Sequence, residues 1–402
     1  MMDTRQTLDT IQWIVDQGLR GAPETEILAG FCQRMVADGL PLLRVNVSQP
    51  TLHPTVGGHL FIWHRDNGTV EENWERSIKQ PGQAAEKSPF YAMLNEGRPE
   101  LRIRLSETNE STGFPLVDQL REQGATDYLI WRTSFGIGDQ LGTREGLFTS
   151  WTTDQPGGFH DEDLASIRQV LPTLSYAIKA ASTYRIANSM VETYLGKDAG
   201  GRVLSGEILR GSGETIKAVL WYCDLQGFTR LSETTPRDQL IGLLNDYFEL
   251  MVDKIQSHGG DVLKFMGDGL LAIFRLDGDE AGVCREVLNA AEQAIAGVVE
   301  LNESRWKAGL PVSSFYTALH LGDLNYGNIG SPDRLDFTVV GPAVNEVSRI
   351  ESLCRSLDQE LIISSAFADA ADGSRDRLVS LGRYALRGVR RPQELFTLAV
   401  DG

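Results

Sequence analysis

Two acidic residues at the ends of apolar strand-like runs constrain the fold of this chain more than any other feature. Asp224 ends the run 218–223, and Asp268 lies in a Gly-Asp-Gly turn within the apolar stretch 262–271. An ionised carboxylate on a buried strand is unfavourable without a partner, and a metal ion is such a partner. Each acid alone is better explained as an ordinary turn or cap residue. Together they predict neighbouring strands that end at a two-metal site acting on phosphates.

Length and charge narrow the class of protein. A chain of 402 residues exceeds one ordinary core, so two domains are expected. The net charge of −17 opposes binding to a nucleic acid backbone, and we expect no nucleic acid partner. A single nucleotide stays compatible with this charge, because local basic groups or a metal can hold its phosphates.

Cysteine usage and hydropathy predict a cytoplasmic protein. The four cysteines are far apart and show no CxxC spacing, as expected for reduced, packed thiols. No apolar run is long enough for a membrane span, and the N-terminus lacks the apolar region of a signal peptide. We therefore expect no membrane association.

The first half of the chain predicts an α+β domain of sensor size. Helical patterns cover residues 4–20 and 23–38, and a longer one covers 160–195. Short β-branched or aromatic runs predict strands at 42–47, 59–64, 126–135 and 145–151. We assign residues 1–185 to this sensor domain and residues 186–213, which are helical and then glycine-rich, to a linker.

The second half, residues 214–402, predicts a second α+β domain. Its main elements are strands at 217–224, 261–274 (a pair), 313–321, 337–340 and 395–400, and helices at 236–258, 279–308 and 343–353. The order β-α-β-β-α-β, with additions, is typical of a ferredoxin-like core, an antiparallel sheet with helices on one face.

Three motifs in this half, in the same order, resemble the class III adenylyl cyclases. They are Asp-Leu-Gln-Gly-Phe-Thr at 224–229, Lys-Phe-Met-Gly-Asp at 264–268, and the segment 336–349 that ends in V-N-x-x-x-R. The resemblance covers about residues 214–400. It implies that Asp224 and Asp268 hold two Mg²⁺ or Mn²⁺ ions in each active site.

The resemblance also implies roles for the remaining site residues. Lys264 and Thr338 would recognise adenine, because a lysine donates to a ring nitrogen and a threonine oxygen accepts from the amine. Guanylyl cyclases, by contrast, have Glu and Cys at these two positions. Asn345 and Arg349 share one helical face, and they would orient the ribose and stabilise charge on the α-phosphate. The segment 228–229, Phe228 and Thr229, would also contact substrate.

The sequence departs from the family pattern at two points. Many relatives carry Asp where this chain has Thr338, and threonine marks a subset of the family. A lysine that would hold the terminal phosphates is missing near the C-terminus. Arg387, Arg390 and Arg391 lie there instead, and the sequence leaves open which of them replaces it.

The implied activity is conversion of ATP to 3′,5′-cyclic AMP and pyrophosphate. Family members build the active site between two chains, so an obligate homodimer is expected. Two alternatives remain: a catalytically silent nucleotide sensor, and a diguanylate cyclase, which shares a related palm fold. The Gly259-Gly260-Asp261 segment suits the latter, but Val262 and Leu263 follow it instead of Glu and Phe.

The first domain resembles GAF-like sensors fused to cyclases, through its element order and the segments 127–129 and 156–159. The resemblance implies an unidentified small-molecule ligand that regulates the second domain. Three tryptophans and three histidines either line a ligand pocket or metal site, or pack in the core and lie at the surface; they are Trp63, Trp131, Trp151, His53, His59 and His64.

Overall fold

A computed structural model describes residues 4–76, 87–107, 110–135, 146–389 and 391–399. The chain divides into two units, Met1–Met190 and Val191–Gly402, each with its own apolar cores. Glu145, Arg390 and Val400, which take part in the predictions above, lie outside the described residues.

The first unit is built on a six-stranded antiparallel sheet of order β3-β2-β1-β6-β5-β4. Its strands are β1 Arg44–Pro50, β2 Val56–His64, β3 Gly68–Glu75, β4 Glu100–Arg104, β5 Asp127–Ser134 and β6 Gly146–Thr153. Its helices are α1 Thr4–Arg20, α2 Glu24–Ala37, α3 Pro89–Asn95, α4 Pro115–Glu122 and the start of α5 Asp161–Leu195. The edge strands β3 and β4 were not predicted, because their exposed, charged sequences carry little apolar alternation.

Both faces of this sheet are covered. One face packs against α1, α2 and α5 in a core that contains Trp63, Trp131 and Trp151. The other face packs against α3 and α4 in a smaller cluster. The three tryptophans therefore pack in the core, and His59 bonds to Glu71 at 3.0 Å. This α+β arrangement was predicted, while the GAF-like identity of the unit stays a prediction.

Asp127 is a fully buried acid that ties β5 to the segment before α5. Its Oδ2 accepts hydrogen bonds from Arg102 Nη2 at 2.7 Å and from the Phe159 backbone N–H at 3.0 Å. A Cβ at Gly158 would lie 2.6 Å from this oxygen, so glycine is needed there for the close approach. The ion pair is thus enclosed by backbone.

Asp127→Ala should destabilise the first unit by about 3 kcal/mol, because removal of one partner leaves the Arg102 charge and the Phe159 N–H unpaired. Urea unfolding followed by tryptophan fluorescence measures the change. Asp66→Ala, at a carboxylate with 75% exposure, is the matched control and should stay within about 0.5 kcal/mol of wild type. Equal stability of the two variants would contradict the expected role of Asp127.

The second unit contains an eight-stranded sheet. Its strands are β7 Gly213–Leu225, β8 Asp261–Met266, β9 Gly269–Arg275, β10 Phe315–Ser331, β11 Arg334–Val340, β12 Leu361–Ser364, β13 Leu378–Tyr384 and β14 Gln393–Leu398. Its helices are α6 Lys197–Leu204, α7 Phe228–Thr234, α8 Arg237–Ser257, α9 Glu280–Lys307, α10 Pro342–Leu357 and α11 Ser365–Ala370. The sheet order is β13-β14-β12-β10-β7-β9-β8, with β11 paired to β10.

The central strands have the predicted ferredoxin-like order. β10, β7, β9 and β8 are adjacent and antiparallel, and α8 and α9 connect them in the β-α-β-β-α-β sequence. α8 and α9 pack on one face around Trp221 and Phe274. The expectation of helices on one face only was wrong. β7 is apolar on both sides, and its second face, with Ala218 and Leu220, packs against α10 and α6.

Two elements differ from their predicted form. Helix α6 lies within the glycine-rich segment that showed no periodicity, because Ala199 and Val203 pack onto the second apolar cluster of this unit. β10 runs ten residues beyond the predicted end at Leu321 and pairs with β11. Tertiary packing determines the formation of α6 and the length of β10, and local sequence preference does not.

The four cysteines are packed in the interior, as expected. Cys32, Cys223, Cys284 and Cys354 are all buried and unpaired. Among the described helices, none combines the length and apolar character that crossing a membrane requires.

Candidate active site

The β7 end and the β8–β9 turn bring Asp224 and Asp268 together. Asp224 lies opposite Gly269 in the β7–β9 register, and the Leu225 N–H donates to the Asp268 carbonyl at 3.2 Å. A Cβ at Gly269 would lie 2.5 Å from the Cys223 carbonyl oxygen and 3.0 Å from Asp224 Oδ1. Glycine at 269 therefore allows the hairpin to close against the acid.

Electrostatics at this pair show uncompensated negative charge. Burial raises the pKa of Asp224 to about 6, and the Asp268 charge and a hydrogen bond to Asp268 add to the rise. Two carboxylates this close cannot both ionise without a cation nearby. The pair is therefore chemically suited to a divalent metal ion.

A third acid, Glu351, faces this pair from α10. Burial, together with the charges of Asp224 and Asp268, raises the pKa of Glu351 to about 7. Sequence reasoning missed this residue. Its signal was an acid on the buried face of an amphipathic helix, between Ile350 and Cys354, which are both fully buried.

The side chains of Lys264 and Thr338 contact each other. Lys264 Nζ donates to Thr338 Oγ1 at 2.9 Å and lies 3.5 Å from Asp336 Oδ2. Lys264 is on β8, while Asp336 and Thr338 are two residues apart on β11 and so share one strand face. Lys264 and Asp336 also line a surface pocket of about 590 Å³. Asp336 is a second polar residue that sequence reasoning did not single out.

Asn345 and Arg349 lie one turn apart on α10, as their spacing predicts. Asn345 is exposed and Arg349 is half-buried. A Cβ at Gly388 would lie 3.3 Å from Arg349 Nη1, so the guanidinium sits against the backbone of the loop that follows β13. Within the described part of the chain, Arg349 forms no ion pair, which leaves its charge free for a ligand.

The other predicted residues differ in how exposed they are. Phe228 is half-buried and packs against the α8–α9 core, whereas Thr229 is exposed at the start of α7. Arg387 precedes Gly388 in the loop beside Arg349, and Arg391 is exposed. Arg390 lies outside the described residues.

One chain thus contains two separate groups of candidate residues. The first is the acidic group, Asp224 and Asp268. The second contains Lys264 with Thr338. Across the described ranges, neither Lys264 nor Arg349 hydrogen-bonds or pairs with either acid.

Asp224→Asn should raise the unfolding temperature of the metal-free protein at pH 7. The pKa of about 6 in the folded protein exceeds the value of about 3.9 in an unfolded chain. The favourable contribution of the protonated acid is complete below about pH 4 and is lost as pH rises through about 6. The neutral amide removes this loss, so the difference from wild type should grow between pH 5 and pH 7.

Thermal unfolding in the presence of a chelator measures this difference. Asp323→Asn, at an exposed carboxylate on β10, is the matched control and should show no such trend with pH. If the stability difference between wild type and Asp224→Asn is the same at pH 5 and pH 7, the pKa of Asp224 is not raised in the folded protein.

Comparison with known proteins identifies this region. Residues 213–400 match the family model described as the adenylate and guanylate cyclase catalytic domain. An uncharacterized protein of Mycobacterium tuberculosis is 33% identical over 188 residues, which is 46% of this chain and 32% of that protein. The adenylate cyclase of Anabaena cylindrica is 31% identical over 160 residues, 39% of this chain and 31% of the relative. The match thus spans about a third of these relatives.

Solved structures overlap the same part of the chain. The adenylyl cyclase CyaB from P. aeruginosa aligns with a TM-score of 0.43 and 23% identity, covering 48% of this chain and 97% of that one. The guanylyl cyclase Cya2 aligns with a TM-score of 0.42 and 29% identity, covering 47% and 95%. On the family match, residues 213–400 form a catalytic domain of the class III adenylate and guanylate cyclase family.

Proposed function

We propose that this domain converts ATP to 3′,5′-cyclic AMP and pyrophosphate. The observation that carries the choice of ATP is the 2.9 Å contact between Lys264 Nζ and Thr338 Oγ1. This contact holds a donor and a hydroxyl side by side at one edge of the sheet. Adenine presents an acceptor ring nitrogen next to an amine, and this pair of side chains matches that pattern. Guanine in the same position would place its N1–H, a donor, against the lysine, which is also a donor.

The acidic pair suits Mg²⁺ or Mn²⁺. The described residues contain no group of three or more acids, histidines or cysteines placed to hold a metal. Mg²⁺ does not require one, because it is commonly bound by one or two carboxylates, with water and substrate phosphates as the other ligands. When bound, such ions lower the pKa of the ribose 3′-hydroxyl and neutralise charge on the phosphates.

The remaining side chains would act by orientation and charge. Arg349, fixed against the Gly388 backbone, would stabilise negative charge that develops on the α-phosphate. Asn345, one turn away on the same helix, would hold the ribose so that its 3′-oxygen approaches the phosphorus. Phe228 and Thr229 would contact the substrate from the start of α7. These contributions require no movement of charge within the protein during the reaction.

Assembly into a homodimer would complete the site. In the parts that the structure describes, the acidic group forms no hydrogen bond or ion pair with Lys264 or Arg349 of the same chain. A symmetric pair of chains places the acidic group of one beside the other group of its partner, and twofold symmetry then generates two such sites. The first unit would act as a cytoplasmic sensor that regulates this assembly.

The test is a product assay on the full chain with ATP or GTP and with Mg²⁺ or Mn²⁺. We expect cyclic AMP, with kcat/KM for ATP at least about 100-fold above that for GTP. Asp268→Asn, which keeps the shape of the side chain, serves as the inactive control. A preference for GTP would refute the substrate assignment. If neither the full chain nor residues 191–402 form any cyclic product, the protein is a silent sensor instead.

A further inference from the structure

The first unit carries a polar patch in the middle of one sheet face. In the β1–β6 register, Arg44 lies opposite Thr152 and Asn46 lies opposite Ser150. In the β5–β6 register, Tyr128 also lies opposite Thr152. Residues that face each other across antiparallel strands share one face and lie close together. We call these five residues, Arg44, Asn46, Tyr128, Ser150 and Thr152, the polar patch.

The polar patch is buried. Arg44 is 9% exposed, and the other four residues are at most 2% exposed. Beside it on the same face, Ile130 and Phe148 pack against Met93 of α3 and Val117 of α4. The patch therefore lies at the inner boundary of an apolar cluster, where polar groups need partners.

Each residue of the patch has a side-chain atom without a hydrogen bond of normal geometry in the described part of the chain, although the Ser150 side chain lies near enough to Tyr128 to interact with it. These atoms are Arg44 Nη1, Asn46 Oδ1, Tyr128 OH, Ser150 Oγ and Thr152 Oγ1. They come from three adjacent strands and converge on one place, so they are not isolated packing defects. Both donors and acceptors are present among them.

The charge of Arg44 is also unbalanced. Burial lowers the pKa of its guanidinium, yet an arginine stays protonated in a folded protein. Among the described residues Arg44 forms no ion pair, although other buried charges in this unit are paired. Glu24 lies 2.8 Å from Arg185, and Asp127 lies 2.7 Å from Arg102. The charge of Glu72 on β3 acts on Arg44 without a direct ion pair, so the partner that Arg44 lacks is an anion in direct contact.

We propose that the polar patch binds a small oxyanion, a carboxylate or a phosphate, whose negative charge pairs with Arg44. A guanidinium binds both groups through two parallel hydrogen bonds. The hydroxyls of Tyr128, Ser150 and Thr152 donate to the free lone pairs of the anion's oxygens. Asn46 Oδ1 accepts, so the ligand also carries a hydroxyl or amine donor.

The opposite face of the same strands explains how such a ligand affects the unit. Val45, Leu129 and Trp151 point to that face and pack in the core with α1, α2 and α5. An anion on the polar patch is thus one sheet thickness from α5, the helix that runs out of this unit. The inference concerns the first unit only and does not depend on the reaction of the second.

Hydrogen exchange measured by mass spectrometry on the full chain tests the proposal. Inorganic phosphate and acetate are the two probes, with chloride at equal ionic strength as the reference. At about ten times its dissociation constant, the bound anion should slow exchange in β1, β5 and β6 by about tenfold. Protection by phosphate assigns a phosphate ligand, and protection by acetate assigns a carboxylate; either result supports the site.

Variants separate the polar patch from other sites. Arg44→Met should abolish the protection, and Arg98→Met, at an arginine with 61% exposure, is the matched control that should retain it. Tyr128→Phe removes one hydroxyl and keeps the ring in the core, and it should weaken the protection. If Arg44→Met does not fold, this second variant tests whether the anion binds at the polar patch.

Three results would overturn the proposal. A patch that holds only water would respond to neither anion. Protection confined to peptides of residues 213–400 would assign the anion to the cyclase domain. An unchanged response in both Arg44→Met and Tyr128→Phe would show that the anion binds elsewhere in the first unit.

Discussion

Co-expression of an Asp224→Ala chain with an Arg349→Ala chain should restore about a quarter of wild-type activity, because half of the dimers are mixed and each mixed dimer has one intact site. Each variant alone should lose activity by at least about 100-fold, since each removes a group that acts on the reacting phosphates. Cyclic AMP formation per milligram of purified dimer measures both effects. The result depends on the two residues acting in one site from different chains.

A second pair of variants provides the control. Asp224→Ala combined with Asp268→Ala should stay inactive, because both acids belong to the same half of each site. Every site in that mixed dimer then lacks one acid. If the first pair also stays inactive while mixed dimers are demonstrated by tagged copurification, the active site lies within a single chain.

The physical basis of this prediction is the separation of the two groups within one chain. Asp224 and Asp268 lie at one end of β7, at the β8–β9 turn. Arg349 lies against the loop at Gly388, after the edge strand β13. Glu351, on the same helix as Arg349, faces the acidic pair, but in the described part of the chain Arg349 itself forms no ion pair with Asp224 or Asp268. We therefore expect the acids that act with Arg349 on one substrate to come from a second chain.

Local patterns in the sequence were sufficient to predict where Asp224 and Asp268 lie. The apolar run before Asp224 predicts a buried strand, and Gly267 and Gly269 around Asp268 predict a tight hairpin turn. Gly267 has φ of 68° and Gly269 touches β7, as such a turn requires. These features are encoded within a few residues, so spacing and residue type reveal them.

The pairing and packing of elements that are far apart in the chain could not be predicted from the sequence. Glu351 and Asp336 reach their positions through packing between elements that are far apart in the chain. The helical pattern marks Glu351 as an acid on a buried face, but it does not show which residues that face meets. The same holds for Arg44, whose neighbour Thr152 is 108 residues away in sequence. Pairing of distant strands decides which polar side chains share a face, and a single sequence does not specify that pairing.

Base recognition offers the second large effect, at Lys264 and Thr338. A lysine donates to adenine, whereas a carboxylate accepts from the N–H groups of guanine. The structure adds one condition. Asp336 Oδ2 lies 3.5 Å from Lys264 Nζ, so a carboxylate introduced at position 264 would face a like charge. The exchange of specificity therefore needs a third substitution that removes this charge.

The double variant Lys264→Glu with Thr338→Cys should lose kcat/KM for ATP by at least about 100-fold, because buried polar groups are left without matching partners. Addition of Asp336→Asn should then raise kcat/KM for GTP above that for ATP. Lys307→Glu, at a lysine with 76% exposure on α9, makes the same charge change away from the site and should leave the ATP preference intact. If the double and triple variants use GTP equally well, Asp336 does not act on position 264, and the recognition pair works without it.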